Sequence, residues 1–556
     1  MSPYHISIWR RSSNKLRQNE VWLECFCLIG LLVAASVLFL INLSSLPLLD
    51  AGEATLAQTA KEVYSSSNFT DWIFYNWGNG SNLAQPPIGQ DLVAIAYRLG
   101  GIGELTTRFP GALLAAFSVL LVYQIGRELF VIRLPALFSA LVYLTCLPVV
   151  RYGRLATLDG PLLCFELLTI WAVLRSRRDL KWTLGIGIGL SLIALTQGFT
   201  VLPALAIVLL FLFWDTPRLL NSTYFWSGLL IGALPGVLWH GAFLIYHHHL
   251  AMSANLLNLF WVRTEPYSLP QIASPGYYLL RAGQYIIPWP IVGFAGLKSL
   301  KHNLHWGWGK LLTVWVSGYF IFACLVFEQN SGVILPLYPA LALAAGKQLD
   351  RIRTLPSFII YPRSWIYSFA AMAVVAALAG LNWGIRNYVD FYLPFICGSL
   401  CITFSATAIA ISQQDKQFIP LLFWGLLVSI FLLVVSPHWI WELQSLEPVK
   451  PIAERVKQHT PPQAVIYGST TTARPSLNFY SDRQIIPQSL SELEQHWQKE
   501  SLVYLLLDIK IFQQLGLPPT ATIEDERLKS LGWILVVKNR SSVLANLLEP
   551  ENSAEQ

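Results

Sequence analysis

The chain has 556 residues, of which 54% are hydrophobic and only 13% are charged. Soluble domains carry roughly 25% charged residues, so this composition excludes an ordinary soluble protein and predicts that most of the chain lies in a membrane. The formal net charge of +6 comes from short basic clusters between apolar segments and does not indicate a nucleic-acid partner.

The N-terminal segment predicts an uncleaved membrane anchor. The apolar run 21–43 is long enough to cross a bilayer, and the sequence contains no small-residue cleavage signature after it. Four basic residues precede the run: Arg10, Arg11, Lys15 and Arg17.

The stretch LLDAGEATLAQTAKEVYSS, residues 48–66, predicts an amphipathic helix that lies at the membrane surface. Apolar residues recur in it at helical spacing: Leu49, Leu56, Ala60 and Val63. Asp50 and Glu53 are three residues apart at its start, where a helix N-terminus favours anions. Two interpretations stay open: Asp50 is an N-cap, or the two carboxylates belong to an active site.

Twelve further apolar segments predict about thirteen transmembrane helices in total, several of them shorter than the ~20 residues of an upright span. They lie near 107–126, 134–150, 159–174, 182–197, 199–214, 224–245, 280–297, 310–327, 333–347, 365–384, 391–412 and 418–437.

The segment RYGRLATLDGPLLCFELLTIW, residues 151–171, carries a second acidic cluster. Asp159 lies at the entrance of a predicted span, and Glu166 lies two turns deeper on the same face. A carboxylate at that depth costs a few kcal/mol unless it faces a cavity or a partner. Arg151 and Arg154 precede the span as candidate partners.

The run YHHH, residues 246–249, favours a solvated histidine cluster at the membrane interface over a metal site. Three consecutive histidines on a helix cannot all converge on one ion. Arg263 and Glu265, in the outer loop that follows, are weaker candidates for contacts on an acceptor side.

The loop charges predict an orientation. Basic loops lie on one side, which the positive-inside rule assigns to the cytoplasm; they are the N-terminus, 175–181, 298–310 and 346–363. An odd number of spans places the C-terminus on the other side. We therefore predict a multi-pass protein of the plasma or inner membrane with a cytoplasmic N-terminus.

The tail, residues 444–556, predicts a small α/β domain outside the cytoplasm, with a role as a lid or docking domain. AVIYG, LVYLLLDI and WILVVK are typical of strands, and PIAERVKQH and SLSELEQHWQK of helices, the second capped by Ser489 or Ser491. The predicted division is a transmembrane domain, 1–443, which includes the outer loop 44–106, followed by this domain.

In several motifs the chain resembles the GT-C membrane glycosyltransferases, in the group of the protein O-mannosyltransferases and the lipid A aminoarabinose transferases. The motifs are DAGEATLAQTAKEV, QPPIGQDLVAIAYRLGGIGELTTRFPGALLA, RYGRLATLDGPL, IALTQGFTVLP and ILPLYPALALAAG. The resemblance covers nearly the whole chain. It implies an all-α polytopic GT-C fold with a small C-terminal α/β domain. It also implies transfer of a sugar from a polyprenyl-phosphate donor to a lipid, glycan or protein acceptor on the non-cytoplasmic side, without a cofactor.

The resemblance also implies site residues. Asp159 matches the second acidic position of the family, and Arg154 and Arg108 match as well. The catalytic aspartate of the family's first loop falls at Gly52, while Glu53 is kept and Asp50 stands two residues earlier.

Glutamines replace three lysines that the family is expected to use for the donor phosphate: Gln85, Gln197 and Gln329. A glutamine keeps hydrogen-bond donors but loses the charge, and charge-assisted hydrogen bonds are about twice as strong as neutral ones. We therefore expect altered donor binding.

The implied chemistry requires no metal. Asp50 or Glu53 accepts the proton of the acceptor nucleophile as general base, and Asp159 orients the sugar or an arginine. Donor-phosphate charge is stabilised by Arg154 with Gln85 and Arg108. Further candidates for sugar or acceptor contacts are Glu166, Arg263 and Glu265.

Two other functions remain open from the sequence. A relative that binds a lipid-linked sugar without transferring it fits Gly52 and the lost lysines. A transporter is less favoured, because the sequence lacks the paired, internally repeated halves typical of transporters.

Overall fold

The computed structural model describes residues 3–74, 86–246, 287–325, 334–355, 361–387, 390–441, 449–469, 472, 474–517, 528–529 and 531–538. It forms two compact units. The first contains Met1–Ser45 and Ser66–Trp439, and the second contains Leu46–Ser65 and Ile440–Gln556.

The described part of the first unit is built from helices. They are α1 Pro3–Leu40, α3 Phe69–Ile73, α4 Ile88–Gly100, α5 Glu104–Leu129, α6 Arg133–Leu144, α7 Leu147–Arg154, α8 Asp159–Ser176, α9 Trp182–Gln197, α10 Val201–Asp215, α11 Pro217–Leu220, α12 Thr223–Tyr246, α13 Pro290–Leu300, α14 Gly307–Leu325, α15 Leu337–Arg353, α16 Arg363–Arg386, α17 Tyr392–Ser412 and α18 Phe418–Val435, with 3-10 turns at Gly198–Thr200 and Pro437–Trp439. Each apolar segment predicted as a span overlaps one or two of these helices.

Among the described residues, six helices are long and apolar enough to cross a membrane, and a seventh span results if α6 and α7 count as one. The six comprise Glu20–Leu40 of α1 together with α5, α12, α16, α17 and α18. Helices α9, α10 and α13 are apolar but only 10–17 residues long, shorter than the ~20 residues of an upright span. The chain is thus a multi-pass helical membrane protein, and the count of thirteen spans stays a prediction.

The segment predicted as one span at 134–150 is broken. Helices α6 and α7 meet at an angle of 60°, and Pro148 stands in the first turn of α7, where its missing N–H is tolerated. The break turns α7 so that Gly153 packs closely on two neighbouring helices. A Cβ atom at this position would lie 2.6 Å from Phe39 of α1 and 2.7 Å from Ala115 of α5. Arg154 therefore ends α7 beside the end of α1.

The described part of the second unit contains a four-stranded sheet in the order β2-β1-β3-β4. The strands are β1 Val465–Gly468, β2 Gln484–Pro487, β3 Tyr504–Asp508 and β4 Trp533–Val537. β1 pairs in parallel with β2 and β3, and β4 is antiparallel to β3. The helices of this unit are α2 Thr55–Ser65, α19 Val449–His459, α20 Pro475–Ser481, α21 Leu490–Lys499 and α22 Ile509–Leu515. Ser489 caps α21 in a capping box with Glu492.

The segment Leu46–Ser65 belongs to the second unit, whereas the sequence pattern kept the whole loop 44–106 with the membrane domain. The apolar face of α2, which comprises Leu56, Ala57, Ala60 and Val63, is buried as its spacing predicts. The helix packs against α20, more than 400 residues later in the chain. An amphipathic pattern gives the face that is buried but not the element that covers it.

Candidate functional site

The first group of predicted site residues lies in a π-helical turn of the second unit, Asp50–Ala54. The Ala54 N–H donates to the Leu49 carbonyl oxygen at 2.9 Å, which closes the wide turn. Gly52 has a φ of +90°, a conformation that glycine adopts readily and other residues rarely do. The position where the family carries an aspartate is therefore shaped for glycine in this chain.

Asp50 is held by residues at the start of α20. Its Oδ2 accepts a hydrogen bond from Arg474 Nε at 2.8 Å, and its Oδ1 accepts from the hydroxyl of Ser476 and, at 3.4 Å, from the Ser476 N–H. Both charged side chains are mostly buried, with 20% of Asp50 and 13% of Arg474 exposed. The N-cap of the turn is Leu49, so the N-cap interpretation of Asp50 is wrong.

Glu53 is fully buried. Its Oε2 accepts a hydrogen bond from the Leu49 N–H at 2.9 Å, in the way that an acidic residue of the first turn reaches back to an N-cap amide. This contact fixes the orientation of the Glu53 carboxylate relative to the turn.

The segment Leu46–Ser65 is tied to the same region by further polar contacts. Tyr480 accepts a hydrogen bond from the Leu48 N–H at 2.9 Å, and Lys61 donates to Asp482, which also receives Lys457. Burial would raise the pKa of the Asp482 carboxyl, but the hydrogen bonds from the two lysines outweigh this effect and hold the pKa below its usual range.

The arginines predicted to bind the donor phosphate meet at the end of α1, in the first unit. Arg154 donates to the carbonyl oxygens of Leu38 at 2.7 Å and Phe39 at 3.2 Å, and Arg108 donates to that of Leu43 at 2.8 Å. Both guanidinium groups contact the ring of Trp439, 4.5 Å and 5.1 Å from its centroid. The two Arg154 hydrogen bonds satisfy carbonyl groups that the end of helix α1 leaves unpaired.

Asp159 is the first residue of α8 and accepts a hydrogen bond from the Thr157 hydroxyl at 2.8 Å. A Cβ atom at the next residue, Gly160, would lie 2.7 Å from the carbonyl oxygen of Gly111 on α5. Glycine at this position therefore lets α8 begin directly against α5 and fixes where Asp159 lies.

Glu166 does not pair with Arg151 or Arg154 in any contact that the structure gives. It is buried on α8 and accepts a hydrogen bond from the hydroxyl of Tyr319 on α14. Beside it lies a cavity of about 10 Å³ that Thr169 and Trp315 also line, which is room for about one water molecule. This geometry gives no support to a sugar contact at Glu166.

Several predicted residues lie outside the described part of the chain. They are Gln85, Arg263, Glu265, Gln329 and the histidines at 247–249. Gln197 is described and ends α9. Their predicted roles stay predictions.

Asp91 is a candidate that the sequence analysis passed over. It lies in the first turn of α4, outside the helices long enough to span a membrane. Its Oδ1 is buried and has no hydrogen-bond partner among the described residues, and burial raises the pKa of the carboxyl to about 7. Shifted pKa values of this size are frequent at functional sites. Its place inside the QPPIGQD motif, four residues after Pro87, was the available signal.

Replacing Asp91 by asparagine is expected to raise the melting temperature at about pH 8 and leave it unchanged at about pH 4. The carboxyl releases its proton near pH 3.8 in the unfolded chain but only near pH 7 in the folded protein. The stability that the protonated Asp91 contributes is therefore fully present below pH 3.8 and is lost as the pH rises through about 7. Thermal unfolding in detergent at both pH values measures the effect, with the exposed Glu454→Gln as control. Equal shifts at both pH values would contradict the predicted titration.

Known proteins resemble the chain in sequence and in fold. Residues 84–240 match the family model of dolichyl-phosphate-mannose-protein mannosyltransferase. An uncharacterized protein of Aquifex aeolicus is 24% identical over 57% of this chain and 63% of its own length. The undecaprenyl phosphate-alpha-4-amino-4-deoxy-L-arabinose arabinosyl transferase 1 of Pseudomonas fluorescens is 26% identical over 58% and 59%. The alignments thus span less than two thirds of either relative.

The fold match is more extensive than the sequence match. ArnT from Cupriavidus metallidurans, in the crystal structure bound to undecaprenyl phosphate, superposes with a TM-score of 0.71 at 16% identity, covering 93% of this chain and 98% of that one. Together with the family model and the curated relatives, this fold confirms the predicted resemblance to the GT-C membrane glycosyltransferases of the group of the protein O-mannosyltransferases and the lipid A aminoarabinose transferases.

Proposed function

We propose that this protein transfers a sugar from a polyprenyl-phosphate donor to a lipid, glycan or protein acceptor on the non-cytoplasmic side of the membrane. The observation that carries the proposal is the ArnT fold over 93% of the chain, combined with acidic residues held at the family's positions, Glu53 and Asp159. A fold alone does not determine a function, so the proposal depends on these two side chains. The proposed topology keeps thirteen spans, a cytoplasmic N-terminus and an outer C-terminal domain.

Glu53 is the proposed general base. Of the two carboxylates considered for this role, Asp50 has both oxygens engaged by Arg474 and Ser476, which favours Asp50 as an anchor and not as a proton acceptor. Asp159 is proposed to orient the sugar.

Arg154 and Arg108 remain the proposed donor-phosphate residues, with Gln85. In the structure the two arginines contact the end of α1, so their phosphate role requires guanidinium N–H groups beyond those bound to its carbonyl oxygens. A guanidinium has five N–H donors, and for Arg154, whose Nε has no hydrogen-bond partner among the described residues, this number allows both functions.

The second candidate function is binding of a lipid-linked sugar without transfer. It is favoured by the φ of +90° at Gly52, which excludes an easy return of the family's aspartate at that position. A binder of this kind holds the donor and releases no polyprenyl phosphate.

The test is release of polyprenyl phosphate from a panel of labelled lipid-linked sugars, with purified protein in lipid and a membrane extract as acceptor source. We expect release with transfer of label. We expect Asp159→Asn to reduce the release strongly while thermal stability changes little, because asparagine keeps the size of the side chain and an oxygen that can accept the Thr157 hydroxyl. Tight donor binding without release, for every sugar, would favour the binder. Wild-type turnover of Asp159→Asn would contradict its role.

A further inference from the structure

The start of helix α20 contacts the turn that carries the proposed base. Arg474 and Ser476 bind Asp50, which is the first residue of the π-helical turn, and Glu53 is the fourth residue of the same turn. All of these residues lie within the second unit. Residues more than 400 positions away in the chain therefore fix one end of this short segment.

The hydrogen bonds from Arg474 and Ser476 to Asp50, which we call the anchor, can set the position of Glu53. π-helical turns are rare in proteins, and those that occur are frequently found at functional sites. The turn in this chain includes Gly52, which has a positive φ. Such a turn has little intrinsic stability, so its geometry depends on contacts made by its side chains. At its first residue, Asp50 receives one charge-assisted bond from a guanidinium and two bonds from Ser476. At its fourth residue, Glu53 binds the Leu49 N–H.

The remaining contacts of the segment lead to the same helix. Leu48 donates to Tyr480, and Lys61 donates to the Phe479 carbonyl oxygen at 3.2 Å. A contact before the turn, one within it and one after it thus all reach α20 or its flanks. The segment 48–61 is therefore bound to the α20 region at several points along its length.

We infer that Arg474 and Ser476 are positioning residues for the proposed base: by binding Asp50, they hold the π-helical turn so that Glu53 keeps its reactive orientation. This inference rests on the proposed transfer function. It gives the C-terminal domain a part in catalysis without any contact between its own α20 residues and the substrate.

The test compares two arginines of the second unit. Arg474→Met removes the guanidinium that binds Asp50, and Arg474→Lys keeps the charge but loses the planar fork. The matched control is Arg483→Met. Arg483 is also buried and donates to Thr460 and to backbone carbonyl groups, but its resolved hydrogen bonds reach no residue of Leu46–Ser65.

For Arg474→Met we expect kcat to fall roughly tenfold to a hundredfold with an unchanged KM for the donor, because a small displacement of a catalytic group has effects of this size. Arg474→Lys should recover part of the rate. The kcat of the double variant Asp50→Asn/Arg474→Met should be no lower than that of the slower single variant. Both substitutions remove the same contact, the one between Asp50 and Arg474, so their effects should not add. Arg483→Met should lower the melting temperature but keep the kcat of the folded protein.

Three results would overturn the inference. Wild-type kcat in Arg474→Met would show that the turn keeps Glu53 in place without the anchor. Equal losses of kcat in Arg474→Met and Arg483→Met would indicate a general loss of stability. Absence of turnover in the wild-type protein, for every donor tested, would overturn the proposed function and the inference with it, whereas the first two results leave the proposed function standing.

Discussion

Replacing Glu53 by glutamine is expected to reduce sugar transfer by about 10²- to 10⁴-fold, the usual contribution of a general base. Glutamine keeps the size of the side chain and a carbonyl oxygen that can still accept the Leu49 N–H, so the turn should stay folded. The change removes the negative charge of the side chain and its capacity to take up a proton. Initial rates of polyprenyl-phosphate release at saturating donor measure the effect on kcat.

The matched control for this prediction is Glu62→Gln, on the exposed side of α2, where Glu62 accepts a hydrogen bond from Gln58 at 2.8 Å. It should transfer sugar at the wild-type rate. Asp50→Asn should be slower than wild type but faster than Glu53→Gln, because it weakens the anchor and leaves the base. The reverse order, with Asp50→Asn the more damaging change, would assign the base to Asp50.

The helical framework was accessible from sequence because its signals are local. Long apolar windows, the amphipathic spacing of α2 and the capping box at Ser489 are each contained in a few turns of chain, and the structure has helices at these places. The number of spans is less accessible. Helices such as α9 and α13 are too short to meet a length criterion, and α6–α7 changes direction at a short break.

The partners of the site residues could not be predicted, because the sequence carries no signal for them. Asp50 and Arg474 are 424 residues apart, and Glu166 and Tyr319 are 153 apart. A carboxylate predicts that some donor is nearby, but not which of the chain's 38 Lys and Arg residues or its hydroxyl groups supplies it. The same limit explains why Asp50 was open to interpretation as an N-cap.

Replacing Arg154 by methionine is expected to destabilise the protein by about 2–5 kcal/mol. The change leaves the buried carbonyl oxygens of Leu38 and Phe39 without their donor and removes a guanidinium packed on Trp439, an interaction worth up to about 2 kcal/mol when it is shielded from water. The nearby Arg108 binds a different carbonyl group, that of Leu43, and cannot replace it. Thermal unfolding without donor measures the loss.

The same variant separates the structural role of Arg154 from its proposed phosphate role. Arg178→Met is the control. Arg178 is 70% exposed, and Glu128 keeps its second partner, Arg175, so losing this ion pair should cost only about 0–1 kcal/mol. If Arg154 serves both roles, Arg154→Met should lose stability and should also gain less stabilisation than wild type from added polyprenyl phosphate. At a given lipid concentration, a ligand that binds more weakly stabilises the folded state less. Loss of stability with a normal response to the lipid would restrict Arg154 to closing the end of α1. Normal stability with no response to the lipid would mean that its guanidinium serves the phosphate and that the carbonyl contacts contribute little.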